Sequence, residues 1–232
     1  MKKFYLSSNG LKTSETMKQE KETRITDILY SFRRCPYAMR ARLALLSAQI
    51  PVILREVSLK NKPLELLAIS EKATVPCLQT SEKVIPESLE IMYWALSQND
   101  PQNLLNMPTV GYDLIEYNDG PFKSSLDRIK YRSRYEDVRL EVELTTAKGF
   151  LDQLNSLLNS EFLCGDKMSL ADLALLPFIR QYAFIDKIWF DKQEWHNVNR
   201  WLTSFLISNN FAKIQKKFPI WQSDDRPVIF SA

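Results

Sequence analysis

Cys35 stands where a strand-like run gives way to a helical one, with Arg33 and Arg34 before it and Pro36 after it. A proline at the first helical position costs no hydrogen bond, so the free amides of that helix end face the sulfur. A helix N-terminus favours a thiolate, and so do nearby cations drawn from Arg33, Arg34, Arg40 and Arg42; together they predict a thiol pKa below that of a free cysteine. An isolated cysteine beside basic residues reads as part of the core, whereas the strand-Cys-Pro-helix context reads as a nucleophile. Cys35-Pro36-Tyr37-Ala38 has alanine where a dithiol redox motif has its second cysteine. A mixed disulfide on Cys35 must then be resolved by an external thiol. Cys77 is the one internal candidate, and it reads equally as a small core hydrophobe. Thr74-Val75-Pro76-Cys77 puts a proline at the start of a strand, where it cannot donate to the ladder. Pro76 either marks a strand edge or, as a cis bond, turns the amide and carbonyl of Val75 outward to meet an extended peptide.

The elements that must position these residues follow from hydrophobic spacing. Ile28-Leu29-Tyr30 with Phe32 reads as a first strand, and Met39, Leu43, Leu46 and Ile50 as a helix stopped by Pro51. Val52-Ile53-Leu54 with Val57 reads as a second strand, Leu64 to Leu67 as a short helix, Val75 to Gln79 as a third strand and Val84-Ile85 as a fourth. A helix from Glu87 to Leu96 completes the order βαβαββα, a small mixed sheet with helices on its faces. Turn formers at Asn99-Asp100-Pro101-Gln102-Asn103 mark a boundary. The expected organisation is an extension at 1–24, a first domain at 25–98, a linker at 99–106 and an all-helical second domain at 107–232. Within the last, residues 123–159 hold one or two long helices. Ser169-Leu170-Ala171-Asp172 reads as an N-cap with a first-turn carboxylate, opening a helix apolar nearly all round and therefore central.

Composition excludes several classes. Lys and Arg number 31 against 28 Asp and Glu, a formal charge of +3. That is too even for a nucleic-acid partner. Three widely spaced cysteines and one histidine, His196, exclude a disulfide scaffold and a Cys/His zinc site of ordinary spacing. The apolar run after Met1-Lys2-Lys3 is too short for a signal core, and no stretch approaches the ~18 residues of a membrane span. A reducing cytoplasm is the compartment expected, with no metal and no membrane partner.

Taken together, Cys-Pro-Tyr-Ala at Cys35, Lys60-Asn61-Lys62-Pro63, Val75-Pro76 and Glu87-Ser88, in this order, resemble a cytosolic glutathione transferase, most like the omega class with its cysteine active site. Gly165-Asp166, Ser169-Leu170-Ala171-Asp172 and Pro177 resemble the capped core helix of the same superfamily. Ser70-Glu71-Lys72-Ala73 departs from the family pattern in lacking Asn-Pro and Gly before Val-Pro. The resemblance implies an N-terminal thioredoxin-like α+β domain and an all-α C-terminal domain, glutathione as co-substrate, a small electrophilic or disulfide acceptor, and a homodimer. It implies that Cys35 forms a mixed disulfide with glutathione and that the Val75 main chain, before a cis Pro76, pairs with the cysteinyl unit. Lys62 would bind the glycyl carboxylate, Glu87 and Ser88 the γ-glutamyl end, and Tyr37 would pack near the sulfur. Phe178, Tyr182, Trp189, Phe190, Trp201 and Trp221 are candidates for an acceptor pocket. The implied activity is thiol transfer: deglutathionylation, or reduction of dehydroascorbate or glutathionyl-quinones. Glutathione conjugation and a non-catalytic interaction module are the alternatives.

Overall fold

The computed structural model describes residues 25–136 and 138–232, so the extension expected at 1–24 lies outside the described residues. Strand β1 (Ile28–Ser31) pairs in parallel with β2 (Val52–Glu56), and antiparallel with β3 (Cys77–Gln79), which pairs in turn with β4 (Val84–Ile85). Side chains alternate across a strand. Leu29 therefore enters the main core, while Tyr30 joins a small cluster on the other face with Val57, Leu66 and Cys77. Helices α1 (Pro36–Ser47) and α3 (Ser88–Gln98) pack together, and α2 (Leu64–Ile69) buries Leu66 in the small cluster.

Two boundaries differ from the sequence expectation. Helix α1 ends before Pro51 can stop it: Gln49 turns left-handed at φ 57°, and the amides of Gln49 and Ile50 bond back to Leu46 and Leu45, both at 3.0 Å. That double return satisfies the last carbonyls of the helix. The third strand starts at Cys77, because the Val75–Pro76 bond is cis and turns that dipeptide out of the ladder. Ala73, where the family pattern has glycine, takes φ 43°.

The second half contains helices α4 (Thr109–Tyr117), α5 (Lys123–Lys130), α6 (Leu140–Leu157), α7 (Leu170–Ala183), α8 (Lys187–Asp191), α9 (His196–Leu206) and α10 (Asn209–Gln215). A π-helical turn at Asn118–Phe122, carrying Pro121, joins α4 to α5. The apolar region at 123–159 is thus two helices. Helix α7 is the centre: every residue from Leu170 to Ile179 is buried, and it packs on α1. One hydrophobic cluster runs from β1 and α1 through α3 to α6, α7 and α9.

The sequence reading left out a fifth strand. β5 (Ile229–Phe230) returns to the first sheet and pairs antiparallel with β2, giving the order β4-β3-β1-β2-β5. The tail leading to it is held by the Trp221 amide on the Glu56 carbonyl at 2.8 Å and by Arg55 over the Trp221 ring at 3.8 Å. Among the described residues no helix is long and apolar enough to cross a membrane.

Candidate functional site

The fold brings Cys35 and Val75 together. Cys35 is the N-cap of α1 in extended conformation, with Pro36 next. Its Sγ–H donates to the Val75 carbonyl at 3.5 Å, immediately before cis Pro76. The parallel β1–β2 pair and the β1–β3 pair fix this approach, because they place the loop after β1 beside the turn before β3.

The electrostatics overturn one expectation. Burial pushes the Cys35 thiol up, although the amides of Ala38 and Tyr37 and the charges of Arg42 and Lys123 favour its anion. The helix-end amides and Arg42 act as expected, while the sign of the shift is reversed because the protein surrounding the sulfur is not visible in the sequence. Of the four nearby arginines, Arg42 is the one that acts on the thiol most. Arg40 instead forks onto Asp119 with both bonds at 2.8 Å and donates from Nε to Ser88 Oγ at 3.0 Å.

Beneath the loop lies a pair of buried charges that sequence reasoning missed. Arg42 is 0% exposed and Glu56 5%. Glu56 Oε1 accepts the Arg33 amide at 2.6 Å, and Arg42 donates weakly to the carbonyls of Ala38 and Phe32 at 3.4 and 3.5 Å. Arg42 Nη1 and Glu56 Oε2 have no hydrogen-bond partner among the described residues. Burial lowers the Arg42 pKa to about 10, opposed by the charges of Glu56 and Cys35. Together Arg42 and Glu56 hold residues 32 and 33 from below, and Arg42 puts a positive charge near the sulfur. A charged residue at helical spacing among Met39, Leu43 and Leu46 was the available signal.

The other expected residues are distributed around this centre. Ser88 is buried at the start of α3, and its hydroxyl proton is left to donate while Arg40 holds the oxygen. Glu87 is its exposed N-cap neighbour, 3.5 Å from Lys72. Lys62 lies before α2, half-buried, with no ion pair among the described residues. Tyr37 turns toward the second half of the chain: its ring meets Phe178 edge-on at 4.8 Å, with Lys123 Nζ 5.4 Å from its centroid. Burial first, then Asp119, pushes the Tyr37 hydroxyl up to about 12, so it stays protonated.

Cys77 is fully buried and its thiol is pushed up to about 11 by burial, which suits a core residue rather than a resolving thiol. Of the six aromatics considered for an acceptor pocket, Phe178 reaches the site through Tyr37. Phe190 and Trp201 are buried, the latter bonded to Asp172, and Trp221 stacks on Arg55. Tyr182 and Trp189 line a hollow with Ile129. A cavity of about 530 Å³ between α1, α7 and α9, lined by Leu43, Met168 and Trp201, does not include Cys35. Among the described residues, no group of three or more His, Cys, Asp or Glu is placed to hold a metal ion.

Comparison with known proteins agrees with this architecture. Residues 29–103 match the family "Glutathione S-transferase, N-terminal domain" and residues 128–208 match "Glutathione S-transferase, C-terminal domain". The chain is 31% identical over 147 residues to glutathione S-transferase DHAR3, chloroplastic, of Arabidopsis thaliana, covering 62% of this chain and 53% of that protein. It is 25% identical over 186 residues to the probable glutathione S-transferase DHAR2, chloroplastic, of Oryza sativa subsp. japonica, covering 77% of this chain and 64% of that protein. The chain thus spans between half and two thirds of the length of these relatives. The crystal structure of glutathione transferase Omega 3C from Trametes versicolor shares the fold, with a TM-score of 0.71 at 18% identity over 88% of this chain and 96% of that one.

Proposed function

For a chain that belongs to the glutathione S-transferase family, we propose glutathione-dependent thiol transfer through Cys35. The observation that carries the reading is the Cys35 sulfur held 3.5 Å from the Val75 carbonyl, ahead of cis Pro76. An extended cysteinyl peptide paired with Val75 brings its own sulfur to that point. Lys62 meets the glycyl carboxylate. Glu87 pairs with the γ-glutamyl ammonium, while Ser88 and the amides opening α3 take its carboxylate. Tyr37 closes the side facing the second domain.

In the reaction the Cys35 thiolate attacks the glutathionyl sulfur of a mixed disulfide, forms Cys35–S–S–glutathione and releases the acceptor thiolate. A second glutathione thiolate then attacks that bond, releasing glutathione disulfide and restoring Cys35. Reduction of dehydroascorbate or a glutathionyl-quinone would use the same sulfur. Burial supports the external-thiol route, since Cys77 lies in the core. The protein is read as a homodimer in a reducing compartment, the cytoplasm first; light scattering at twice the chain mass and cell fractionation test these points.

The decisive experiment compares wild type with Cys35→Ala on a glutathione mixed disulfide, dehydroascorbate and a chloronitroaromatic. Loss of the first two activities, with retention on glutathione-agarose preserved, is the expected result. Undiminished disulfide reduction by Cys35→Ala would remove the residue from the mechanism. Glutathione binding by a wild type that turns over none of the three would favour an interaction module.

A further inference from the structure

The turn that carries Cys35 is gripped at one residue. After β1 the chain reverses through Phe32, Arg33, Arg34 and Cys35, and the Cys35 amide closes the turn on the Phe32 carbonyl at 3.0 Å. The bond that closes such a turn uses only its first carbonyl and its last amide. The amide of the second residue, Arg33, is taken by Glu56 Oε1 at 2.6 Å. From the other side α10 approaches: Arg33 Nη1 donates to the Gln215 carbonyl and Gln215 Nε2 to the Arg33 carbonyl, both at 3.5 Å. Those two bonds are long, so the short bond to the carboxylate is the stronger hold.

Glu56 is itself a fixed support. It ends β2 opposite Ser31, the last residue of β1. The Val57 amide bonds the Ser31 carbonyl at 2.8 Å, and the Trp221 amide bonds the Glu56 carbonyl at 2.8 Å. Its side chain is buried, and among the described residues the Arg33 amide is the one hydrogen-bond partner it has, Oε2 having none. A buried charged group seldom repays in stability what its removal from water costs. Stability therefore gives little reason for a carboxylate here; the place of its partner, two residues before the nucleophile, gives a better one.

We propose that Glu56 is a positioning residue for Cys35: its carboxylate, through the Arg33 amide, fixes the turn that presents the nucleophile to the disulfide. This role rests on the thiol-transfer reading and adds a support to it. An attacking sulfur must meet the disulfide in line with the bond that breaks, and a misplacement of about 1 Å costs up to about a hundredfold in rate. The turn sets that position, since it leaves β1 at one end and at the other becomes the N-cap of α1. Lys62, Val75, Glu87 and Ser88 lie on other segments. Loosening the turn should leave glutathione held and slow the transfer.

The test measures kcat and KM on the mixed disulfide of glutathione and cysteamine, with circular dichroism and retention on glutathione-agarose confirming the fold. Glu56→Ala should lower kcat about tenfold, with kcat/KM falling equally and KM unchanged. Glu56→Gln, whose amide oxygen can still accept the Arg33 N–H, should stay within about threefold of wild type. Arg33→Pro deletes the same bond from the other end, at a turn position where proline is favoured, and should match Glu56→Ala. Combining Arg33→Pro with Glu56→Ala should be no slower than either alone, because one bond is lost once. Should Glu56→Ala fail to fold, Arg33→Pro with Glu56→Met takes donor and acceptor away together and should show the same loss of kcat. Undiminished kcat in a folded variant, Gln as slow as Ala, losses that multiply, or a loss carried by KM alone would each overturn the positioning role and leave Cys35 chemistry standing. A wild type that turns over no mixed disulfide overturns both.

Discussion

Two central helices, α1 and α7, start in opposite ways. Both follow an extended residue with a small side chain, Cys35 or Ser169. At α7 the opening is closed. Asp172 accepts the amide and hydroxyl of Ser169 at 2.8 and 2.7 Å on one oxygen, and the Leu163 amide and Trp201 indole, both at 3.0 Å, on the other. At α1 there is no side-chain cap and no acidic residue in the first turn, and the amides of Tyr37 and Ala38 are left to the sulfur. Unsatisfied amides at a helix start are ordinarily taken by a cap. At α7 the Ser169–Asp172 capping box takes up the helix start, and the Asp172 carboxylate ties three segments into a core; the α1 end reserves its amides for an anion formed during turnover.

The largest effect should come from making α1 resemble α7. Cys35→Ser supplies a cap and removes the nucleophile, so thiol transfer should vanish while stability rises by about 1 kcal/mol, read from the urea midpoint and residual turnover. A less stable variant would mean that the amides do not face position 35. The reverse change, Asp172→Ala, strands the amides and the indole that converge there. It should cost about 3 kcal/mol of unfolding free energy, because neutral donors that bond the carboxylate are left unsatisfied in the core; a loss under 1 kcal/mol would show that water replaces the carboxylate. Smaller in consequence is the titration of the open end. Because burial raises the Cys35 thiol, alkylation measured without glutathione should keep accelerating with pH and level off only above the ~8.5 of a free thiol. Arg42→Met should move that profile to still higher pH by removing the cation near the sulfur, and a shift downward would contradict the assigned field. The far end of α1 offers the least: Gln49→Gly should stabilise by about 1 kcal/mol, since a left-handed φ strains any side chain with a Cβ. An unchanged melting curve would place the strain elsewhere.

The parts of this arrangement that the sequence revealed are those written in short-range chemistry. Ser169 and Asp172 sit three residues apart at the head of an apolar run, Pro36 follows a cysteine, and strand alternation sorts Leu29 from Tyr30. What it concealed depends on contacts between distant segments. Arg42 and Glu56 look like surface charges until α1 and β2 are packed together. The sign of the Cys35 shift depends on the depth of a cleft that no spacing encodes. Ile229-Phe230 is too short to show a period, so its pairing with β2 becomes visible only in the folded chain.

That late strand also bears on how the molecule can be taken apart. With β5 closing an edge of the sheet that carries Cys35, a fragment cut after α3 leaves β2 with a bare, sticky border. Producing the front half by itself should therefore invite aggregation unless the last few residues are supplied in trans or grafted on.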